Sequence, residues 1–156
     1  MTVVVRPATS AGDIAEVRRL FKEYGASLDV DLRYQGFEHE LAGLPGAYAP
    51  PAGCLLLARD GTTPIGCVAV RPIESGICEL KRLYVRPAHR GSGLGRALAV
   101  AAIERAAAAG HRAMRLDSLA TMVEAQALYR SLGFVKIDPY NDHPVPGTRF
   151  MELALS

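Results

Sequence analysis

The chain has no tryptophan, three cysteines and four histidines among its 156 residues, and each scarcity removes a class of protein. A small, odd number of cysteines does not make the disulfide framework of a small secreted domain. With no C-x-x-C pair and with scattered histidines, there is no ligand spacing for a metal. Cys54, Cys67 and Cys78 lie in apolar, strand-like surroundings and read as buried free thiols of a reducing compartment. Charge of one sign is scarce too: 18 basic against 16 acidic residues leave a net charge of +2, which does not suggest a nucleic-acid binder. The longest apolar stretch, Ala97–Ile103, is far short of a bilayer span, and Met1–Pro7 turns polar too soon for a secretory signal. The expectation is a soluble, cytoplasmic protein with no metal and no nucleic-acid or membrane partner.

What is present is an ordinary globular composition, 49% hydrophobic and 22% charged, and a length that favours one domain over residues 1–156. Residues 2–6 form a β-branched strand closed by Pro7. Ser10 and Asp13 stand at capping-box spacing before Ile14, Val17, Leu20, Phe21 and Tyr24, which predicts an amphipathic helix over about 11–26. A shorter helix is predicted near 34–43, in a locally acidic segment that ends at Pro45-Gly46. Three strands follow: Cys54–Arg59, Ile65–Ile73 and Ile77–Val85. Asp60-Gly61 and Glu74-Ser75-Gly76 are their turns, which makes an antiparallel meander. Further strands are predicted at Ala113–Leu119, Phe134–Ile137 and Thr148–Leu155. Between the first two lies a helix opened by a Thr121/Glu124 capping box and stopped at Gly133.

The third strand runs into the most informative stretch. After Leu83, Tyr84 and Val85, Arg86-Pro87 ends the ladder because proline has no N–H to give. Gly91, Gly93 and Gly95 then allow a tight turn and a close backbone approach, and an alanine-rich helix runs from Leu94 to a stop at Gly110. A helix start presents unpaired N–H groups and the positive end of its dipole. With Arg90 and Arg96 beside it, this loop reads as an anion cradle, best matched to a pyrophosphate. Lys81, Arg82, Arg86, Arg90 and Arg96 share a short segment without an acid. By charge alone they read equally as a solvated basic face.

Two segments resemble one family. Arg90-Gly91-Ser92-Gly93-Leu94-Gly95 matches, at each fixed position, the Q/R-x-x-G-x-G/A pyrophosphate loop of the GNAT superfamily of acyl-CoA-dependent N-acetyltransferases. Ala125-x-x-Leu128-Tyr129-x-x-Leu132-Gly133-Phe134 resembles a second segment of that family. The element order agrees over nearly the whole chain, least well from Val30 to Gly53. The resemblance implies an α+β fold with a mixed, mostly antiparallel sheet of six to seven strands and about four helices. It implies acetyl-CoA as cosubstrate and transfer of the acetyl group to a primary amine of a small molecule or peptide by direct attack. It also leaves room for a homodimer.

Site residues follow from the same resemblance. Residues 91–96 would bind the pyrophosphate through N–H groups, and the backbone of Leu83, Tyr84 and Val85 would pair with the pantetheine arm and polarise the thioester carbonyl. Tyr129 stands at the family's general-acid position, where its hydroxyl would protonate the leaving thiolate. Glu79 is the candidate base for the amine proton, against an alternative as a plain ion-pair partner of Lys81 or Arg82. Alternation puts Glu79, Lys81 and Leu83 on one side of the strand unless a bulge intervenes. Tyr34, Phe37, Glu38 and His143 are candidates for the acceptor pocket.

Two other readings compete. A dinucleotide-binding oxidoreductase fails because its third glycine would fall at Arg96 and because Arg86–Arg90 separate the strand from the glycines. A catalytically silent acyl-CoA-binding regulatory module stays open.

Overall fold

The three meander strands are too apolar to have one wet face, so the sheet they build is covered on both sides. In the computed structural model, which describes residues 2–28, 36–143 and 145–155, helices occupy both faces. The strands are β1 (Val3–Pro7), β2 (Cys54–Asp60), β3 (Thr63–Glu74), β4 (Ile77–Val85), β5 (Ala113–Ser118), β6 (Val135–Lys136) and β7 (Arg149–Ala154). The helices are α1 (Ala11–Ser27), α2 (Phe37–Ala42), α3 (Leu94–Ala108) and α4 (Val123–Ser131). The seven strands form one sheet in the order β1-β2-β3-β4-β5-β7-β6, antiparallel except for the parallel β4–β5 pair.

Strand alternation sorts the core into two layers. Leu56, Val68, Val70 and Leu80 face α3, where Leu94, Leu98, Ala102 and Ala106 meet them. Leu55, Leu57, Cys67 and Ala69 face α1, where they bury Val17, Leu20 and Phe21, with Tyr48 beside them. Each such fully buried aliphatic side chain stabilises the fold by about 2 kcal/mol. Gly66 has a packing reason: a Cβ there would lie 2.9 Å from the Tyr84 carbonyl oxygen and 3.1 Å from Leu98 Cδ1, so its absence lets α3 sit close on the sheet.

The α1 capping box forms as expected, with Asp13 N–H donating to Ser10 Oγ at 3.0 Å. The α4 box does not. That helix starts at Val123 with Met122 as its N-cap, and no side chain caps it. Gln126 instead reaches back and donates to the Leu119 carbonyl at 2.8 Å, which fixes the entering loop. The second helix is shorter than its pattern suggested, and residues 29–35 of that segment, Tyr34 among them, lie outside the described residues. Cys54, Cys67 and Cys78 are free and buried, and burial pushes the Cys54 and Cys78 thiols up to about 11 and about 12.

Candidate active site

The site begins where β4 and β5 part. They pair at Ile77–Ala113, Cys78–Met114 and Glu79–Arg115 and no further. Beyond Glu79 the right-handed twist separates them, so β4 presents an unpaired edge from Leu80 to Val85 in the middle of the sheet. Leu83, Tyr84 and Val85 line a cavity of about 450 Å³ along this edge. Tyr24 and Leu28 of the α1 segment, Arg90, and Thr121–Ala125 at the start of α4 complete its walls. An extended arm fits such a groove as an added strand.

The glycine loop closes one end. Gly91 and Gly93 adopt left-handed φ angles of 80° and 84°, and nothing lies within 4 Å of a Cβ built on either. Gly93 is the N-cap of α3 and no side chain caps the helix, so the first N–H groups of α3 face the open loop. Arg90 and Arg96 flank it on the exposed surface: Arg90 Nε donates to the Val85 carbonyl at 3.0 Å, and Arg96 donates to Ser131 Oγ at 2.9 Å. Ser92 Oγ donates to the His89 carbonyl at 2.6 Å and ties the turn. Leu94 sits in the core with 5% exposure, so only its backbone is available to a ligand. The donors present, backbone N–H groups at a positive helix end with two guanidiniums, fit a pyrophosphate.

The apparent basic cluster resolves differently from its sequence. Arg82 is 4% exposed and gives two hydrogen bonds to Glu40, at 3.0 and 3.1 Å. Arg86 is paired with Glu23 at 2.6 and 2.9 Å. Acids from α2 and α1 therefore answer two of the five cations, and the anion cradle rests on the loop backbone, Arg90 and Arg96. Arg82 also has φ 59°, rare for a residue with a side chain, and the β3 register slips beside it between Cys67–Tyr84 and Ala69–Lys81. This bulge turns Leu83 toward the α3 core while Tyr84 joins the α1 side, so Leu83 does not share a face with Glu79.

Tyr129 comes to the mouth of the split from α4. It is 6% exposed and stacks on Phe134 at 5.6 Å between ring centroids. It lines a narrow cleft of about 80 Å³ with Lys81, Arg82, Leu83, Asp117, Ser118 and His143. Burial, with smaller contributions from Tyr24 and Asp117, raises its hydroxyl above the ordinary tyrosine value and keeps it protonated.

Glu79 is 2% exposed and fully engaged. Its Oε1 accepts from Arg71 Nε at 2.8 Å and lies 3.9 Å from Lys81 Nζ, while its Oε2 accepts from the Tyr140 hydroxyl at 2.6 Å. Burial and this carboxylate both raise the Tyr140 hydroxyl. The loop between β6 and β7 thus grips both sides of the split, since Asn141 next door donates to Asp117 Oδ2 at 3.0 Å. His143 from the same loop lines the cleft, and its Nδ1 accepts from Val145 N–H at 3.2 Å. Phe37 packs under the Arg82 guanidinium, 5.1 Å from its ring centre. Glu38 is exposed on the outer side of α2; the acid that turns inward is Glu40. Arg71 and Tyr140 were not singled out from the sequence, and Asp117 only as the strand-end acid of the dinucleotide-binding alternative. The available signal was a charge inside an apolar strand, at Arg71 as at Arg82, because a buried guanidinium demands a partner.

The chain is similar to known proteins of one family. The acetyltransferase (GNAT) family model matches residues 14–134. The chain belongs to the GNAT family. An uncharacterized N-acetyltransferase of Schizosaccharomyces pombe is 41% identical over 146 residues, 92% of this chain and 90% of the relative. The IAA acetyltransferase of Azospirillum brasilense is 37% identical over 109 residues, covering 69% of this chain and 71% of that protein. Among solved structures, the acetyltransferase YncA of Salmonella typhimurium, determined with acetyl-CoA, superposes with a TM-score of 0.72 at 21% identity, covering all of this chain and 95% of its own. The mixed seven-stranded sheet with four flanking helices is thus a GNAT fold, and the family's chemistry is acyl transfer. Among the described residues, no helix is long and apolar enough to cross a membrane.

Proposed function

We propose that the chain transfers an acetyl group from acetyl-CoA to a primary amine of a small molecule or peptide, by direct attack in a ternary complex. The observation that carries this reading is the convergence of three parts on one split: the uncapped glycine loop, the unpaired β4 edge and the buried Tyr129 hydroxyl. Acetyl-CoA, once bound, supplies an activated thioester. Residues 91–96 hold its pyrophosphate through backbone N–H groups, helped by Arg90 and Arg96, and the edge of Leu83–Val85 holds its arm. A backbone N–H of that edge stabilises the charge that builds on the carbonyl oxygen.

The amine nitrogen forms the new C–N bond as the C–S bond breaks. Tyr129 gives its proton to the departing thiolate, and the amine gives up one proton, so the products are an amide and a free thiol. Glu79 would have to take that proton on oxygens that already accept from Arg71 and Tyr140, so the proton would compete with both bonds. We therefore give Glu79 the part of a positioning group that fixes Lys81 and Tyr140. Asp117, which lines the cleft, is assigned the proton. Asp117→Asn should lower kcat, with a smaller effect on KM and none on acetyl-CoA affinity. Glu79→Gln losing as much kcat as Asp117→Asn, with an acid limb abolished in the pH profile, would return the base role to Glu79. The experiment for the reading as a whole is release of free thiol with an amine panel, read together with the mass of the product. Tight acetyl-CoA binding without turnover of any amine would favour the silent binding module.

A further inference from the structure

The split between β4 and β5 uses only the N-terminal end of α3. The other end of this 15-residue helix lies about 20 Å away at the helical rise of about 1.5 Å per residue. There Ala106 and Ala109 line a second cavity, of about 500 Å³, together with Ile14 of α1, Leu55 of β2, Val70 of β3 and Pro51. Its walls are fixed in place. His111 Nε2 donates to the Ala52 carbonyl at 2.7 Å and ties the proline loop to the end of α3. Gly53 lies hard against β3, where a Cβ would come within 2.7 Å of the Val70 carbonyl oxygen.

Among the described residues that line this cavity, Arg105 is the one charged side chain. It makes no ion pair and gives no side-chain hydrogen bond to any described residue. The helix end does not need it, because the carbonyls of Arg105, Ala106 and Ala107 already accept from the N–H groups of Ala109, His111 and Gly110. Its charge acts on the Cys54 thiol, which also lines the cavity, and partly offsets the rise that burial causes. Asp13, whose carboxylate accepts from the Thr9 N–H at 3.3 Å, is paired with Arg59 at 2.8 Å and does not line the cavity. None of Thr2, Leu28, Gly36, His143, Val145 and Leu155, which flank the undescribed positions, lines it either.

We infer that this cavity binds a small monocarboxylate with an apolar body, the carboxylate on Arg105 and the chain or ring against α3, β2 and β3. The inference does not depend on the acetyl-transfer reading. Sites for small molecules hold about 300–1,000 Å³ and combine apolar walls with a few polar anchors, and this cavity does both. One guanidinium matches one carboxylate through paired hydrogen bonds. A ligand with several phosphates would need more cations than these walls carry, and an ammonium would be repelled by the one present.

The test is calorimetric titration of the full chain, with CoA in excess to occupy the groove along β4. The probes are octanoate and 4-phenylbutyrate, with 4-phenylbutyramide and 4-phenylbutylamine as the uncharged and cationic counterparts. The expected result is one site for each acid, about tenfold or more weaker binding of the amide, and no binding of the amine. Arg105→Met should weaken the acids by about tenfold or more and leave the amide unchanged, while Arg105→Lys should keep the acid ahead of the amide. Ala109 is exposed and lines the cavity, so Ala109→Phe should obstruct it and abolish binding of acid and amide alike, with the melting temperature unchanged. If Ala109→Phe does not fold, the surface change Arg105→Met carries the test. No binding of either acid at millimolar concentration would overturn the inference, as would equal binding of acid, amide and amine. Undiminished binding in folded Ala109→Phe, or an intact acid preference in Arg105→Met, would do the same. So would sedimentation showing a dimer of the unliganded chain that Arg105→Met dissociates, because a second copy would then fill the cavity.

Discussion

The two halves of the site are made of different material. The half proposed for the cosubstrate is backbone: a glycine turn, the uncapped start of α3 and an unpaired strand edge. The half proposed for the acceptor is side chain: Arg71, Glu79, Lys81 and Arg82 from the sheet, Glu40 from α2, and Tyr140, Asn141 and His143 from one loop. A backbone site recognises a shape common to every member of the fold, so it tolerates change almost everywhere except at its glycines. A side-chain site depends on ion pairs between distant segments. It can be rewritten residue by residue, which is how one fold accepts many acceptors.

The contrast can be broken from either end. The largest effect is expected from Glu40→Gln, which leaves the Arg82 guanidinium buried without its carboxylate. Removing one partner of a buried pair costs about 3 kcal/mol. Chemical denaturation should show the loss, and acetyl-CoA affinity of the remaining folded protein should change little. Tyr129→Phe should lower kcat by about 100-fold where chemistry limits the rate, without changing the dissociation constant for acetyl-CoA. Full turnover in that variant would remove Tyr129 from the mechanism. In the wild type, rate should rise with pH as the acceptor amine loses its proton. Because the Tyr129 hydroxyl is raised, no decline due to it should appear below the ordinary tyrosine value of about 10.

Gly93→Glu tests the backbone half alone. A side chain at φ 84° costs about 1–2 kcal/mol, and its carboxylate would repel the pyrophosphate. Acetyl-CoA binding should weaken by tens of fold, with KM for the amine acceptor unchanged at saturating acetyl-CoA, and a change in that KM would mean the halves are coupled.

The smallest effect concerns Glu23, which the Arg86 hydrogen bond holds below its ordinary value of 4.5. A carboxylate with a depressed folded pKa stabilises the fold above that ordinary value, and the contribution is lost as pH falls through the folded value. Melting temperature measured from pH 7 downward should therefore fall less steeply below about 4.5 in Glu23→Gln than in the wild type. For a pair this exposed the difference should be about 1 kcal/mol or less.

The same division explains what could be read from sequence. The glycine spacing, the strand before it and the alanine-rich helix after it are local, so the loop and the helices around it were legible as structure, as was the element order. The acceptor half was not. Glu40 and Arg82 are 42 positions apart, Tyr140 and Glu79 are 61 apart, and neither pair has a local pattern. The bulge at Arg82 was equally hidden, because it depends on strand register with β3. The Thr121/Glu124 spacing misled for a related reason: tertiary packing through Gln126 fixed the start of α4 and displaced the local cap.

The parting of β4 and β5 has one more consequence. An unpaired strand edge at the border of a sheet invites another chain to add to it and is a route to aggregation. Here the open edge lies between two strands of the same sheet, with Tyr24 and Leu28 on one flank and Met122–Ala125 on the other. Walls on both flanks leave that edge accessible only to what enters the slot between them, so a second sheet cannot lie alongside it as it could at a border.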